Sequence, residues 1–250
     1  MSLPTPHVSP PPILYKGSPG DSIEVAPGVR VTIVARAKLP TRHGLFEMVA
    51  YHNTKDAHDH VALVRGDLAG GEHVPTRLHS ECLTGDVFGS LKCDCGEQLD
   101  SAIQAIASLE AGVILYLRQE GRGIGLANKI RAYALQDQGM DTVEANLHLG
   151  FDDDLRQYDI AAGMLHLLGI RSIQLFTNNP RKIQGLRDHG VSVAARSPLL
   201  VEPNRFNQGY LQTKEQKSGH MLAPLRLNGR SEHPRSSFSM VRRDAQARLG

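Results

Sequence analysis

Three short runs in the first third of the chain, residues 31–37, 45–51 and 61–67, are rich in valine and other strand formers. Polar or glycine-bearing turns separate them, so the pattern predicts three β-strands. From Gly96 the period changes. Leu99, Ile103, Ile106 and Leu109 recur at helical spacing, Gly112 reads as the stop, and residues 113–117 form an apolar run of the buried-strand type. Beyond it the pattern alternates: helix over 126–138, helix over 160–168, strand over 173–177, helix over 180–188 and strand over 191–194. The predicted class is α/β (mixed α+β), with a β-rich N-terminal half followed by helices and strands alternating over a mixed sheet. No internal repeat is visible.

Composition changes the picture at the two ends. Seven of the 14 prolines fall within residues 1–27, and residues 226–250 hold six arginines against Glu232 and Asp244. Both segments read as unfolded tails, which leaves residues 28–225 as one compact domain, long enough to bury a core without staples. The remainder has ordinary globular usage, 40% hydrophobic and 22% charged over the whole chain, and the formal charge of +2 selects no partner. No run of 18 apolar residues occurs, and the first 15 residues have neither a basic start nor an unbroken apolar stretch. The expectation is a cytoplasmic protein without a membrane span or secretion signal.

The chemistry concentrates in a few segments. All three cysteines, Cys82, Cys93 and Cys95, lie in RLHSECLTGDVFGSLKCDCGEQL. An odd cysteine count without a signal argues against a disulfide framework and for metal or thiol chemistry. Three thiolates suit a catalytic zinc site, which keeps its fourth position open. A structural knuckle completed by His79 or His73 is the alternative, and Asp94 and Gly96 around the CysXCys pair suggest a turn more than a core.

The 113–117 strand runs into RQEGRGIG and then a helix, placing Gly121, Gly123 and Gly125 where backbone N–H groups could face an anion. The spacing fits neither a dinucleotide fingerprint nor a Walker loop, and a simple tight turn is the other reading. Arg122 within the turn could fork onto phosphate. In TNNPRKI, Asn179 is an N-cap and Pro180 the first helical residue. Arg181 and Lys182 then oppose the helix dipole unless an anion is bound; two solvated side chains are the alternative. FDDDLRQYD offers Asp152, Asp153 and Asp154 as a solvated cap, one of them a candidate base.

These blocks, with QEGRGIGLANKIRAYALQDQG and DTVEANLHLGFDDDLRQYD, occur in an order that resembles GTP cyclohydrolase II across residues 31–222. The resemblance implies hydrolysis of GTP to a diaminopyrimidine ribosylamine 5′-phosphate, formate and pyrophosphate, the first committed step of riboflavin biosynthesis. It implies one catalytic Zn2+ per subunit on Cys82, Cys93 and Cys95, Mg2+ with the triphosphate, and a homodimer. Arg77, Leu78, His79, Ser80, Glu81, Gln98, Glu120, Gly121, Arg122, Thr142, Thr177 and Lys182 match the GTP-contacting positions. Glu120 is a candidate acceptor for the guanine N1 and N2 donors. Asp154 matches the proton acceptor and Arg156 the proposed nucleophile at the α-phosphate, although a guanidinium stays protonated and charge stabilisation is the simpler account. Tyr133 is a candidate to orient water or the opened formamide, against plain packing.

Many relatives carry a fused dihydroxybutanone phosphate synthase, and the expectation here is a monofunctional chain. Two alternatives stay open: a family variant that stops at the formylated pyrimidine, and a zinc-containing nucleic-acid-binding module that uses the arginine-rich tail. The resemblance favours neither nucleic acid nor membrane as a partner.

Overall fold

The computed structural model describes residues 16–199, 201–216, 219 and 221, so the arginine-rich segment 226–250 lies outside the described residues. Eight strands form one mixed sheet: β1 (Ser22–Ala26), β2 (Val29–Thr41), β3 (Gly44–Asn53), β4 (His60–Arg65), β5 (Val74–Ser80), β6 (Gly112–Leu117), β7 (Ser172–Phe176) and β8 (Ser192–Ser197). Their spatial order is β1-β2-β3-β4-β6-β5-β7-β8. The first four pair antiparallel in sequence, and β4 pairs antiparallel with β6. From β6 onward, β5, β7 and β8 are parallel neighbours. The predicted α/β class is therefore the class observed.

The helices are α1 (Leu83–Asp86), α2 (Cys95–Ala107), α3 (Leu126–Gln136), α4 (Thr142–His148), α5 (Asp159–Leu167), α6 (Pro180–Asp188) and α7 (Gln208–Gln216). Strand β6 shows why the sheet needs cover on both faces. Val113, Leu115 and Leu117 join the larger core with α5, while Ile114 points the other way onto Phe46, Ile106 and Phe176 under α2. Side chains alternate faces along a strand, so a continuous apolar run is a strand buried on both sides. Burying each of these aliphatic side chains contributes roughly 1.5–3 kcal/mol. No helix among the described residues is long and apolar enough to cross a membrane.

The predicted boundaries need three corrections. The segment 1–27, read as an unfolded tail, contains β1, which pairs with β2; its Ile23 is buried. Gly163 of α5 lets that strand pack closely, since a Cβ there would lie 2.7 Å from Val25 Cγ1. Gly112 opens β6 and does not stop α2, which ends five residues earlier at Ala107. Strand β5 and helices α1, α4 and α7 carry no element in the periodicity reading.

Parallel strands place their carboxyl ends together. Ser80 of β5 pairs with Leu117 of β6, and Arg77 of β5 with Phe176 of β7. The segments leaving these ends are the cysteine turn, the glycine turn and TNNPRKI, which is where open α/β sheets bind ligands.

Candidate active site

An open cleft of about 1110 Å³, solvent at its mouth included, lies over those strand ends. Its lining includes all three cysteines, Arg77, His79, Ser80, Glu81, Gln98, Glu120, Gly121, Arg122, Tyr133, Thr142, Arg156, Thr177 and Lys182. Two residues expected at the site do not line it. Leu78 is fully buried in the larger core and contributes its backbone carbonyl, which accepts from Lys182 Nζ at 2.7 Å. Asp154 sits behind Arg156.

The cysteine cluster forms because two turns meet at glycines. Cys82 precedes α1, Cys93 lies just before α2, and Cys95 opens α2. A Cβ on Gly85 would lie 2.9 Å from Cys93 Sγ and 3.2 Å from Cys82 Sγ. One on Gly96 would strike the Gly85 carbonyl oxygen at 2.3 Å. The three sulfurs lie within 4.8 Å of one another, with Cys82 and Cys93 Sγ 3.6 Å apart. Tetrahedral zinc–thiolate bonds of about 2.3 Å place sulfurs roughly 3.8 Å apart, so this donor set fits a metal ion.

Neither proposed fourth ligand belongs to the group. His73 stands at the opposite end of β5, and His79 Nε2 is 3.0 Å from Asp86 Oδ1. Cys82 and Cys93 are buried, as is Asp94, and Cys95 is partly buried, so the cluster lies deeper than the predicted turn implied. Hydrogen bonding from Cys93, Cys95 and Lys129 makes Cys82 the thiolate of the set despite burial, and that same bond to Cys82 pushes the Cys93 thiol up to about 11.

Around the cysteine cluster, β5 supplies buried polar side chains. Arg77 donates to the Phe176 carbonyl at 2.9 Å and to Gln98 Oε1 at 2.8 Å, and Gln98 in turn donates to Asp94. Burial brings the Arg77 guanidinium down to about 10. Asp86 accepts from Tyr116 Oη and from the Cys82 N–H, both at 2.9 Å, and its contact with Nε2 leaves the buried Nδ1 of His79 as the acceptor. Burial lowers the affinity of His79 for a second proton, so the imidazole is neutral.

The glycine turn is a left-handed pair, Gly121 at φ 62° and Arg122 at φ 60°, followed by Gly123 and Gly125, also at positive φ. Arg122 pairs with Asp153. Glu120, read as an acceptor for guanine, faces protein donors instead: the N–H groups of Leu83 at 2.7 Å and Gly121 at 2.8 Å, and Lys129 Nζ at 2.8 Å.

On the other side, Asn179 caps α6 through the Arg181 N–H, with Pro180 opening the helix, as predicted. Lys182 is not a solvated side chain: it is buried, and burial together with Arg77 and Arg156 pushes its pKa well below the ordinary lysine range. Burial would raise the Asp154 carboxyl, but the Arg156 fork, at 2.7 and 2.5 Å, overrides it and holds Asp154 below the usual carboxylate range. Arg156 is correspondingly pushed up against the cost of its burial. Tyr133 stays protonated, raised by burial to about 12.

The periodicity and motif reading missed Lys129, Asn146, Asn178 and Tyr210, which also line the cleft. For Lys129 the signal was available: a lysine on the same face of α3 as Tyr133, four residues away. Tyr210 arrives from the distant α7, and no local pattern announces it.

A family model described as GTP cyclohydrolase II matches residues 32–198. The GTP cyclohydrolase-2 of Tolumonas auensis is 56% identical over 192 residues, covering 77% of this chain and 98% of that protein. That of Shewanella amazonensis is 55% identical over 193 residues, covering 77% and 94%. The riboflavin biosynthesis protein RibBA of Endomicrobium trichonymphae is 52% identical over 192 residues; this chain spans about half of its length, 48%. With a matched domain that contains the cysteine cluster, the glycine turn and the α6 N-terminus, the chain belongs to the GTP cyclohydrolase II family and is a hydrolase of that type.

Proposed function

We propose that this cleft binds GTP and hydrolyses it to formate, pyrophosphate and a diaminopyrimidine ribosylamine 5′-phosphate, the step that commits GTP to riboflavin. The observation that carries the reading is the joining, in one cleft, of a three-cysteine cluster with the buried Arg77 and Lys182 and the mostly buried Arg156. A nucleoside triphosphate needs both. Its phosphates offer anionic charge to the cations, and its base carries the ring carbon that must be attacked.

Zinc held by Cys82, Cys93 and Cys95 supplies Lewis acidity for the ring-opening hydrolysis. The rest follows from side chains. Arg122, on the glycine turn, presents its guanidinium to the phosphates. Arg156, fixed by its fork on Asp154, stabilises negative charge as the bond between the α- and β-phosphates breaks. Its raised proton affinity favours this role over nucleophilic attack, which needs a neutral guanidine. Tyr133 serves as a hydrogen-bond donor. His79 Nδ1 and Ser80 Oγ, buried without protein partners among the described residues, are suited to donors on the substrate. Magnesium arrives with the triphosphate as part of the substrate.

The test is incubation with GTP in zinc and magnesium, with formate and pyrophosphate assayed separately. Equal release of both supports the full reaction, pyrophosphate release with retained formyl group identifies the truncated variant, and release of neither refutes the reading.

A further inference from the structure

Lys129 lies on α3, outside the residues that the family resemblance assigns, and is buried. Its Nζ is 3.0 Å from Cys82 Sγ and 2.8 Å from Glu120 Oε1. The turn is shaped to admit it, because a Cβ on Gly121 would lie 3.1 Å from Lys129 Cβ. Glu120 also accepts from the Leu83 and Gly121 N–H groups, so one ammonium joins a candidate metal ligand, the turn after Cys82 and the glycine turn. Lys92 also lies over the Tyr133 ring, at 5.1 Å, but it is half exposed and pairs with Asp137.

We propose that Lys129 is a positioning residue for the metal site: it fixes the direction of Cys82 Sγ, draws electron density from that thiolate, and places a positive charge, shared with Glu120, beside a tri-thiolate zinc centre. A divalent ion with three thiolates carries a net charge of −1, and a buried net charge is costly unless it is paired. A hydrogen bond to a ligating thiolate weakens its donation, so more of the metal's Lewis acidity is left for the open position. The residues that orient ligands are part of a site's design in this way. The inference rests on the reading of Cys82, Cys93 and Cys95 as metal ligands.

Cobalt(II) loading of the full chain tests it without substrate. In the parent protein, a thiolate-to-cobalt charge-transfer band reports the three sulfurs; its absence overturns the metal site itself. Given that band, Lys129→Met should move it to longer wavelength, because an unbonded thiolate gives up an electron more easily. Competition with a chelator should show zinc held roughly 10- to 100-fold more weakly. Lys129→Arg, which retains a donor, should stay nearer the parent, and Lys92→Met should leave band and affinity unchanged. If Lys129→Met does not fold, the pair Lys129→Met with Glu120→Gln removes both buried charges and is read in the same way. An unmoved band and unchanged zinc affinity in a folded Lys129→Met protein overturn the proposal.

Discussion

Arg156 and Asp154 stand two residues apart, yet they meet differently from an ordinary acidic cap. The guanidinium forks onto the carboxylate with both partners mostly buried, and Arg181 adds a more distant contact at 3.8 Å. Removing Arg156 leaves a carboxylate stranded, at a cost of about 3–5 kcal/mol, so Arg156→Ala confounds chemistry with folding. Arg156→Lys is the more informative change. It keeps the charge and loses the planar fork, so partial pyrophosphate release, down roughly 10- to 1000-fold in kcat, is the outcome expected of a charge stabiliser. Parent-level release in the lysine variant would remove the fork from the mechanism.

The same pair gives a pH signature. Because the Asp154 pKa is depressed on folding, its stabilising contribution is complete above the ordinary value of 3.8 and disappears as pH falls through the lower folded value. Thermal melts of Asp154→Asn should therefore lose stability relative to the parent at neutral pH, with the difference closing in strong acid. A constant difference across that window would contradict the linkage.

At the scale of elements, the site depends on places where two backbones pass without side chains between them. Gly85 faces the three cysteines and Gly96 faces Gly85, so α1 and α2 can approach only as glycine against glycine. Gly85→Ala should drive a methyl group between Cys93 and Cys82, and zinc content measured by elemental analysis should fall by at least half. Gly89→Ala is the comparison, since that glycine has φ +65° but open space around its Cβ position. It should cost about 1 kcal/mol of backbone strain and leave the metal in place. Equal zinc in both variants would show that the cluster tolerates the wedge.

Elements with an apolar rhythm were legible in the sequence: β2, β3, β4, β6, β7, β8, α2, α3, α5 and α6. Strand β5 was not, for a physical reason. Its sequence VPTRLHS puts Thr76, Arg77 and His79 in buried positions, which a hydrophobic pattern scores as a loop, and two of them, Arg77 and His79, line the cleft. Helix α4 has seven residues, too few for a period, yet its capping box of Asp141 and Glu144 was readable. Most of the cleft could be read because motif residues leave the same ends of parallel strands. Tyr210 could not, because its contact with it depends on how α7 packs.

For the whole molecule, gathering cations in the cleft costs stability. Arg77, Arg156 and Lys182 repel one another through poorly hydrated space, offset by Asp154 and Asp94, and Lys182 feels this most. Its folded pKa lies well below 10.5, so the unfolded chain binds the proton more readily, and this contribution to stability rises with pH between the folded value and 10.5. Lys182→Met should flatten that rise. It removes a buried charge and gives up only one hydrogen bond, to the Leu78 carbonyl, so the ligand-free protein should gain on the order of 1 kcal/mol, or about 2–4 °C in Tm. Pyrophosphate should reverse the ranking. At 100 times its Kd a ligand stabilises by about 2.7 kcal/mol, roughly 5–10 °C for a domain of this size, and the parent should show that shift while Lys182→Met loses most of it. Scanning calorimetry of both proteins with and without pyrophosphate decides the matter. A Lys182→Met protein that melts below the parent without ligand and keeps the full pyrophosphate shift would mean that Lys182 is a structural strut for Leu78 and that the anion is held elsewhere.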